Sequence, residues 1–276
     1  MAKLSQEIVI AIQEVIQEKK EQKAFHDNLV IKDGIFDILE KHCKVLYYPV
    51  KNTNNCGFHT KRFVKNELVH FAYINTAKPL AEQVFAAAHE LGHALDIAQN
   101  VMAKLGRLDE LSSKLEEDIV NRFAAELLMP EELFLTNLNF YKEKFVDNAG
   151  SPSFIDMCHI ILMQMHFFMT SYGSVRKRLV ETSVIGEEQE KVLIKHDEFV
   201  LKYLKTFSRE LNTMLDTSTN KIAIPELREL IEKVEEKGLL DKNFVCKVKH
   251  DFGIDDLDDA FATINILPED KTNGED

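Results

Sequence analysis

The chain has 276 residues, enough for one large domain or two modest ones with a buried core. Its 46 acidic and 34 basic residues leave a net charge of −12, so no direct nucleic acid partner is expected. No apolar run approaches the roughly 20 residues of a membrane span, and the N-terminus lacks the order of a signal peptide. The four cysteines are scattered and typical of reduced thiols. We therefore expect a cytoplasmic protein without a membrane partner.

The first part of the chain predicts helices followed by short strands. Apolar residues at helical spacing favour one helix over residues 4–24 and a second that follows Gly34. Three short strands are predicted over 43–50, 58–64 and 68–74, with polar turns between them. These strands predict a small antiparallel sheet that packs against helices.

From residue 80 onward the pattern is helical. An alanine-rich helix is predicted over 80–99 and a second over 112–129, and Pro130 suits the first turn of the next helix. Further helices are predicted over residues 154–170, 175–185, 190–215 and 225–237. Residues 251–276 hold nine acids against one lysine and predict a flexible tail.

The most informative segment is the His-Glu-x-x-His motif at residues 89–93. Four residues turn a helix by about 400°, so His89 and His93 project from nearly one line. Two imidazoles at this spacing can each give one nitrogen to a tetrahedral zinc ion. Glu90 lies beside such a metal, where it can take a proton from a bound water as the catalytic base. The alternative is a pair of core histidines held by local hydrogen bonds.

A catalytic zinc takes three protein ligands and leaves the fourth position to water. The class with a third histidine six residues after His93 is excluded, because Gln99 stands at that position. Glu117 shares a helical stripe with Asn121 that is otherwise small and apolar, so an acid there needs a cation. Glu117 is the predicted third ligand, and Glu116 is the alternative because a slip of one residue reassigns the face.

Two more residues are candidates for orienting the ligands. Asn121, one turn after Glu117, is placed to hydrogen-bond a ligand imidazole or the carboxylate. Asp96, one turn after His93, is placed to orient that histidine, with a solvated acid at the helix end as the alternative. Glu126 lies on another side of its helix and is interpreted as a surface or ion-pair residue.

Peptide hydrolysis also needs a group that stabilises the tetrahedral oxyanion beside the metal. The candidates in the sequence are Tyr172, His166 and Tyr73, and a packing role is the alternative for each. The sequence does not choose among them.

The motif at 89–93, followed by Glu117-x-x-x-Asn121 and then Phe-Ala-Ala-Glu-Leu-Leu-Met-Pro, resembles the ImmA/IrrE family of zinc metallopeptidases. The resemblance covers roughly residues 35–135 and extends weakly over 171–179. It implies that Glu117 is the third ligand and Glu90 the catalytic glutamate. The better-understood members are intracellular proteases that cleave a helix-turn-helix transcriptional repressor, so such a repressor is the expected protein substrate. Many relatives carry an N-terminal helix-turn-helix, whereas one plain helix is predicted at this N-terminus.

The expected fold class is α+β: a small antiparallel sheet packed with metal-binding helices in a zincin-like core, followed by a mainly helical C-terminal region. The expected parts are an N-terminal helix (1–30), a metallopeptidase core (31–150), a helical region (151–250) and an acidic tail (251–276).

The expected function is zinc-dependent, site-specific cleavage of a repressor in mobile-element or stress regulation. Three other functions remain open. One is a zinc-binding regulatory protein with weak or no proteolysis, although the presence of Glu90 favours an enzyme. Another is a DNA-associated regulator that uses the basic cluster at 176–178, which more simply forms a solvated face. The third is a helical interaction scaffold over residues 187–250, which is compatible with protease activity.

Overall fold

A computed structural model describes residues 4–24, 30–146, 150–211, 214–252 and 254. The chain divides into two compact units, Met1–Lys221 and Ile222–Asp276. The first unit contains α1 (Gln6–Glu21), α2 (Gly34–His42), β1 (Lys44–Tyr48), β2 (Gly57–Val64), β3 (Glu67–Asn75), α3 (Leu80–Ala94), α4 (Ile97–Lys104), a 3-10 turn (Leu108–Glu110), α5 (Ser113–Leu128), α6 (Glu131–Phe145), α7 (Phe154–Phe168), α8 (Tyr172–Glu181), α9 (Glu187–Lys195) and α10 (Asp197–Glu210). The predicted α+β class with a mainly helical C-terminal region is confirmed.

The three strands form one sheet in the order β1-β3-β2. Strands β2 and β3 form an antiparallel hairpin whose turn residues, Lys65 and Asn66, both have positive φ, as a two-residue hairpin turn requires. Strand β1 pairs with β3 in parallel, so the sheet is mixed rather than wholly antiparallel. The alternating pattern of a five-residue strand carries no information on the direction of its partner. Strand β3 is therefore central, and its last four residues are buried.

Helix α3 packs against several elements of the first unit. It contacts α2, α5, β2 and β3, and three consecutive alanines (86–88) allow this close packing. The predicted helix over 80–99 is interrupted after Ala94, because Asp96 adopts a left-handed conformation with φ of 51°. Aspartate is one of the few residues that tolerate this conformation. The chain then turns into α4, which packs on α1.

A segment far along the sequence satisfies the first amides of α3. The backbone N–H groups of Leu80 and Ala81 donate to the carbonyl oxygens of Thr217 and Leu215 at 3.0 and 3.2 Å. The hydroxyl of Thr76 donates to the Lys221 carbonyl at 2.8 Å. The two amide bonds supply partners for N–H groups that have none within the helix. The predicted helix over 190–215 is likewise two helices, α9 and α10.

Helix α5 is tied to α8 by a buried ion-pair network. The guanidinium of Arg178 donates to both carboxylate oxygens of Glu126, at 2.9 and 2.7 Å, and to the Met129 carbonyl at 3.0 Å. Arg122 donates to the same carboxylate and also pairs with Glu181. The side chains of Arg178 and Glu126 are 0% and 4% exposed. The expected solvated face is therefore wrong for Arg178, and Glu126 is an ion-pair residue rather than a surface one.

The described residues of the second unit form two helices, α11 (Leu227–Glu236) and α12 (Lys242–Asp251). They pack on each other, and Lys249 Nζ lies 2.9 Å from Glu235 Oε2. Helix α12 is absent from the sequence prediction, and the predicted tail lies outside the described residues except for 251, 252 and 254. The division of the chain into four parts stays a prediction. Within the described ranges, every helix is too short or too polar to cross a bilayer.

Replacing Glu126 by glutamine tests the buried network. The change keeps the side-chain shape but removes the buried negative charge that pairs with Arg178 and leaves only the less buried Glu181 beside it, so the free energy of unfolding should fall by about 3 kcal/mol. Urea denaturation followed by circular dichroism measures this loss. Glu110→Gln, which removes the partner of the more exposed Arg107, is the matched control and should leave the unfolding midpoint nearly unchanged. Equal losses in the two variants would contradict a structural role for the network.

Candidate metal centre

The candidate centre lies where α3 crosses α5. Gly92 makes this crossing possible, because a Cβ atom there would lie 2.8 Å from Val120 Cγ1 and 3.0 Å from Phe123 Cδ1. Both distances are shorter than ordinary van der Waals contacts, so any larger residue would push the helices apart. The small residue in the middle of the motif therefore sets how closely the acids of α5 approach the histidines of α3.

Three side chains converge at this crossing. His89 Nε2 lies 3.2 Å from His93 Nε2 and 3.2 Å from Glu117 Oε2. His93 Nε2 lies 3.3 Å from Glu117 Oε1. Ligand atoms bound at about 2.0–2.1 Å in a tetrahedral site are about 3.3 Å from one another. The three side chains therefore match the spacing of a metal ion with a tetrahedral ligand set.

The outward nitrogens of the two imidazoles also have partners. His89 Nδ1 lies 3.1 Å from Asn121 Oδ1, which fixes the Nδ1–H tautomer and leaves Nε2 free to bind a metal. His93 Nδ1 faces Glu116 Oε1 at 3.6 Å, and Glu116 also accepts from Gln99. Glu116 thus lies behind His93 rather than among the converging atoms. Burial lowers the pKa of His89, which favours the neutral form that binds metals.

Glu117 is more exposed than the sequence pattern suggested. Its side chain is 54% exposed, although the pattern predicted that it faces the core. Glu117 is only the fifth residue of α5, so it lies near the N-terminal end of the helix and not in its interior. The carboxylate nevertheless points toward both histidines, which leaves one side of the converging atoms open to solvent.

Glu90 lies beside these three side chains and is buried. A ligand atom of Glu90 lies within 4.8 Å of those of His89 and His93, and this group could hold a metal ion. Burial, reinforced by the negative charge of Glu117, raises the pKa of Glu90 from 4.5 to about 8. Gly57 borders the carboxylate, because a Cβ atom there would lie 3.0 Å from Glu90 Oε1 and 2.7 Å from the Tyr73 carbonyl oxygen.

A cleft of about 300 Å³ opens over Glu90 and His89. One wall is the segment 54–57, and the opposite wall includes Ser171 and Ser174 at the start of α8. Buried Asn75 positions the first wall, since its side chain hydrogen-bonds the backbone at residues 50, 55 and 77 at 2.9–3.1 Å. Sequence analysis did not assign a role to Asn75, although its place at the end of the strand before α3 was a usable signal.

The structure does not bring the predicted oxyanion candidates to the cleft. The hydroxyl of Tyr172 donates to the Leu193 carbonyl at 3.3 Å, and burial raises its pKa to about 12. His166 lies on α7, and burial lowers its pKa. The hydroxyl of Tyr73 donates to the Tyr48 carbonyl at 2.9 Å. None of the three lines the cleft described above: Tyr73 and Tyr172 are buried in the surrounding core, and His166 is half-buried.

Asp96 is likewise held by a different partner from the expected one. It pairs with Lys61 of β2, because the left-handed turn after α3 directs its side chain toward the sheet. A second residue of β2, His59, stacks on His93 with ring centroids 6.2 Å apart. Sequence analysis missed His59, whose alternation with Lys61 places both on the side of β2 that faces α3.

Comparison with known protein families identifies the domain that carries this centre. Residues 40–179, just over half of the chain, match the Peptidase_M78 family, described as the IrrE N-terminal-like domain. The chain belongs to the Peptidase_M78 family. The match includes both helices of the candidate centre and confirms the resemblance drawn from the motifs.

Other comparisons add little to this assignment. A Mycobacterium tuberculosis transcriptional regulator of known structure is 13% identical, with a TM-score of 0.38 over 64% of this chain. The similarity spans 47% of that protein, which is less than half of its length. No curated protein sequence matches the chain significantly.

Peptidase_M78 is, by its name, a family of peptidases. The donor set agrees with a bound metal ion, since His89 and His93 offer imidazole nitrogens and a carboxylate lies against both. The family match and the convergence of the side chains are independent observations, and both involve α3 and α5.

The raised pKa of Glu90 predicts a pH-dependent stability of the metal-free chain. Glu90 ionises near pH 4.5 when unfolded but near 8 when folded, so the folded state holds an extra proton between these values. Stability should therefore fall as the pH rises through this window, by about 1.4 kcal/mol per pH unit relative to Glu90→Gln. Urea denaturation in the presence of a chelator, at several pH values, measures the difference. Parallel pH profiles of the two proteins would disprove the buried, protonated state.

Proposed function

We propose that this member of Peptidase_M78 is a cytoplasmic, zinc-dependent endopeptidase. The observation that carries the proposal is the convergence of His89, His93 and Glu117 at mutual distances of 3.2–3.3 Å, next to a buried glutamate. Two imidazoles and one carboxylate with an open fourth side are the ligand set of a catalytic zinc and not of a closed structural one. Family membership supports the peptidase assignment.

Each side chain of the centre has a distinct part in the proposed hydrolysis. When bound, zinc supplies a Lewis acid that makes water a stronger nucleophile and polarises the scissile carbonyl. Glu90 accepts a proton from the attacking water on a carboxylate oxygen and later delivers it to the leaving amine. Asn121 holds His89 in one tautomer through its Nδ1 atom. Burial of Glu90 keeps bulk water away from the group that moves the proton.

The proposed substrate is a transcriptional repressor that is cut at a specific site. The resemblance of the paired motifs to the ImmA/IrrE family supports this choice. The small size of the cleft, about 300 Å³, also favours selective cleavage over general digestion, because it accepts few side chains at once. Rapid digestion of unfolded casein would contradict a selective protease.

Zinc binding tests the ligand assignment, with two neighbouring glutamates as a matched pair. Glu117→Gln removes a proposed ligand and should weaken zinc affinity by at least about 100-fold, whereas Glu116→Gln touches only the outer nitrogen of His93 and should cost about tenfold at most. Competition titration with a zinc-sensitive chelator measures both. Equal losses, or a larger loss in Glu116→Gln, would overturn the choice of Glu117.

Cleavage tests the role of Glu90. The native chain and Glu90→Gln are each co-expressed with the product of a neighbouring repressor gene, and mass spectrometry identifies the fragments. Glu90→Gln should keep its zinc but lose cleavage by about 10² to 10⁴-fold, since only the proton-transferring group is changed. Cleavage that persists in Glu90→Gln would contradict the proposed role of Glu90. A native chain that binds zinc and cleaves no repressor would instead favour a regulatory zinc protein.

A further inference from the structure

Strand β2 borders the candidate centre and has one unpaired edge. It pairs with β3 alone, since the order β1-β3-β2 places it at the margin of the sheet, and no other described strand pairs with it. Side chains alternate along a strand, so His59, Lys61 and Phe63 share one face. His59 stacks on His93 and Lys61 pairs with Asp96, which shows that this face is directed toward α3.

The same face ends in an exposed apolar pair at the tip of the hairpin. Phe63 is 79% exposed, and Leu68, directly opposite in the register, is 51% exposed. Phe63 lies four positions after His59 along the strand, a distance of about 13 Å. Two large apolar side chains exposed side by side on a soluble surface are typical of a binding surface. The apolar pair, Phe63 and Leu68, thus lies on the strand that leads away from the centre.

We infer that the apolar pair is a substrate-recognition subsite, and that an extended segment of the protein substrate adds to the free edge of β2. The inference rests on the proposed endopeptidase function. An added strand places its side chains beside those of β2 on the same face, so an apolar substrate residue would contact Phe63, which Leu68 borders from the β3 side. Because Phe63 lies about 13 Å along the strand from His59, which stacks on His93, that residue lies about four or more positions from the cleaved bond.

The charge of the hairpin supports a substrate segment as the occupant. Arg62 and Lys65 are exposed on a hairpin that carries one acid, Glu67, within a chain of net charge −12. Two copies of this chain joined edge to edge through β2 would bring these cations together, which opposes self-association. An extended segment with an apolar residue and nearby acids complements both the apolar pair and the local positive charge.

Peptide binding tests the subsite without relying on catalysis. The zinc-loaded Glu90→Gln chain is panned against random displayed peptides of about twelve residues, long enough to cover β2. We expect the selected peptides to share a large apolar residue. The dissociation constant of the strongest peptide, measured by fluorescence anisotropy, should rise about tenfold when Phe63→Ser or Leu68→Ser is added.

Val64→Ser is the matched control, because Val64 is apolar and 39% exposed on the same strand but points to the opposite face. It should leave the dissociation constant unchanged. Failure to select any peptide, or affinities that do not change in Phe63→Ser and Leu68→Ser, would overturn the subsite. If these two substitutions weaken peptide binding but the native chain cleaves no substrate, the subsite would stand and the endopeptidase assignment would be wrong.

Discussion

The centre depends on how closely two helices can approach each other at Gly92. A metal ion tolerates ligand distances only within a few tenths of an ångström, so the ligands of α3 and α5 must be brought together with similar precision. Val120 and Phe123 pack directly on the backbone at Gly92, and Glu117 lies one turn before Val120 on the same helix. The same helix packing therefore stabilises the core and sets the distance from Glu117 to the two histidines.

The charges of the centre favour a cation as well. Two carboxylates, Glu90 and Glu117, lie next to imidazoles of which His89 is kept neutral by burial, and the negative charge of Glu117 helps to raise the pKa of Glu90. Without a positive ion, burial of Glu90 in its ionised form costs free energy. A divalent cation among these groups offsets that cost and stabilises the basic form that proton transfer requires. The burial of the Glu90 carboxylate thus raises its pKa in the metal-free protein and makes a bound cation favourable.

The features that helical periodicity governs were predictable from the sequence. His89, Glu90 and His93 lie on one helix, and Glu117 and Asn121 lie one turn apart on another, as local spacing predicted. Spacing left Glu116 open as an alternative to Glu117, and the family resemblance favoured Glu117. Contacts between distant segments were not predictable. Asp96 points toward Lys61 because its own backbone is left-handed. The Tyr172 hydroxyl bonds to the Leu193 carbonyl because α8 packs on α9. The parallel pairing of β1 and the capping of α3 by residues 215 and 217 also depend on partners that periodicity does not identify.

The walls of the cleft explain how a small site can be selective. Asn75 fixes one wall through its backbone hydrogen bonds, and the buried pair of Glu126 with Arg178 fixes α8, which carries the other. Both walls are therefore held by buried polar contacts. A cleft of about 300 Å³ contacts only a few residues of a substrate chain, so in the proposed peptidase most of the binding free energy would come from surfaces beyond it. The free edge of β2 is the adjacent surface with backbone groups available for that purpose.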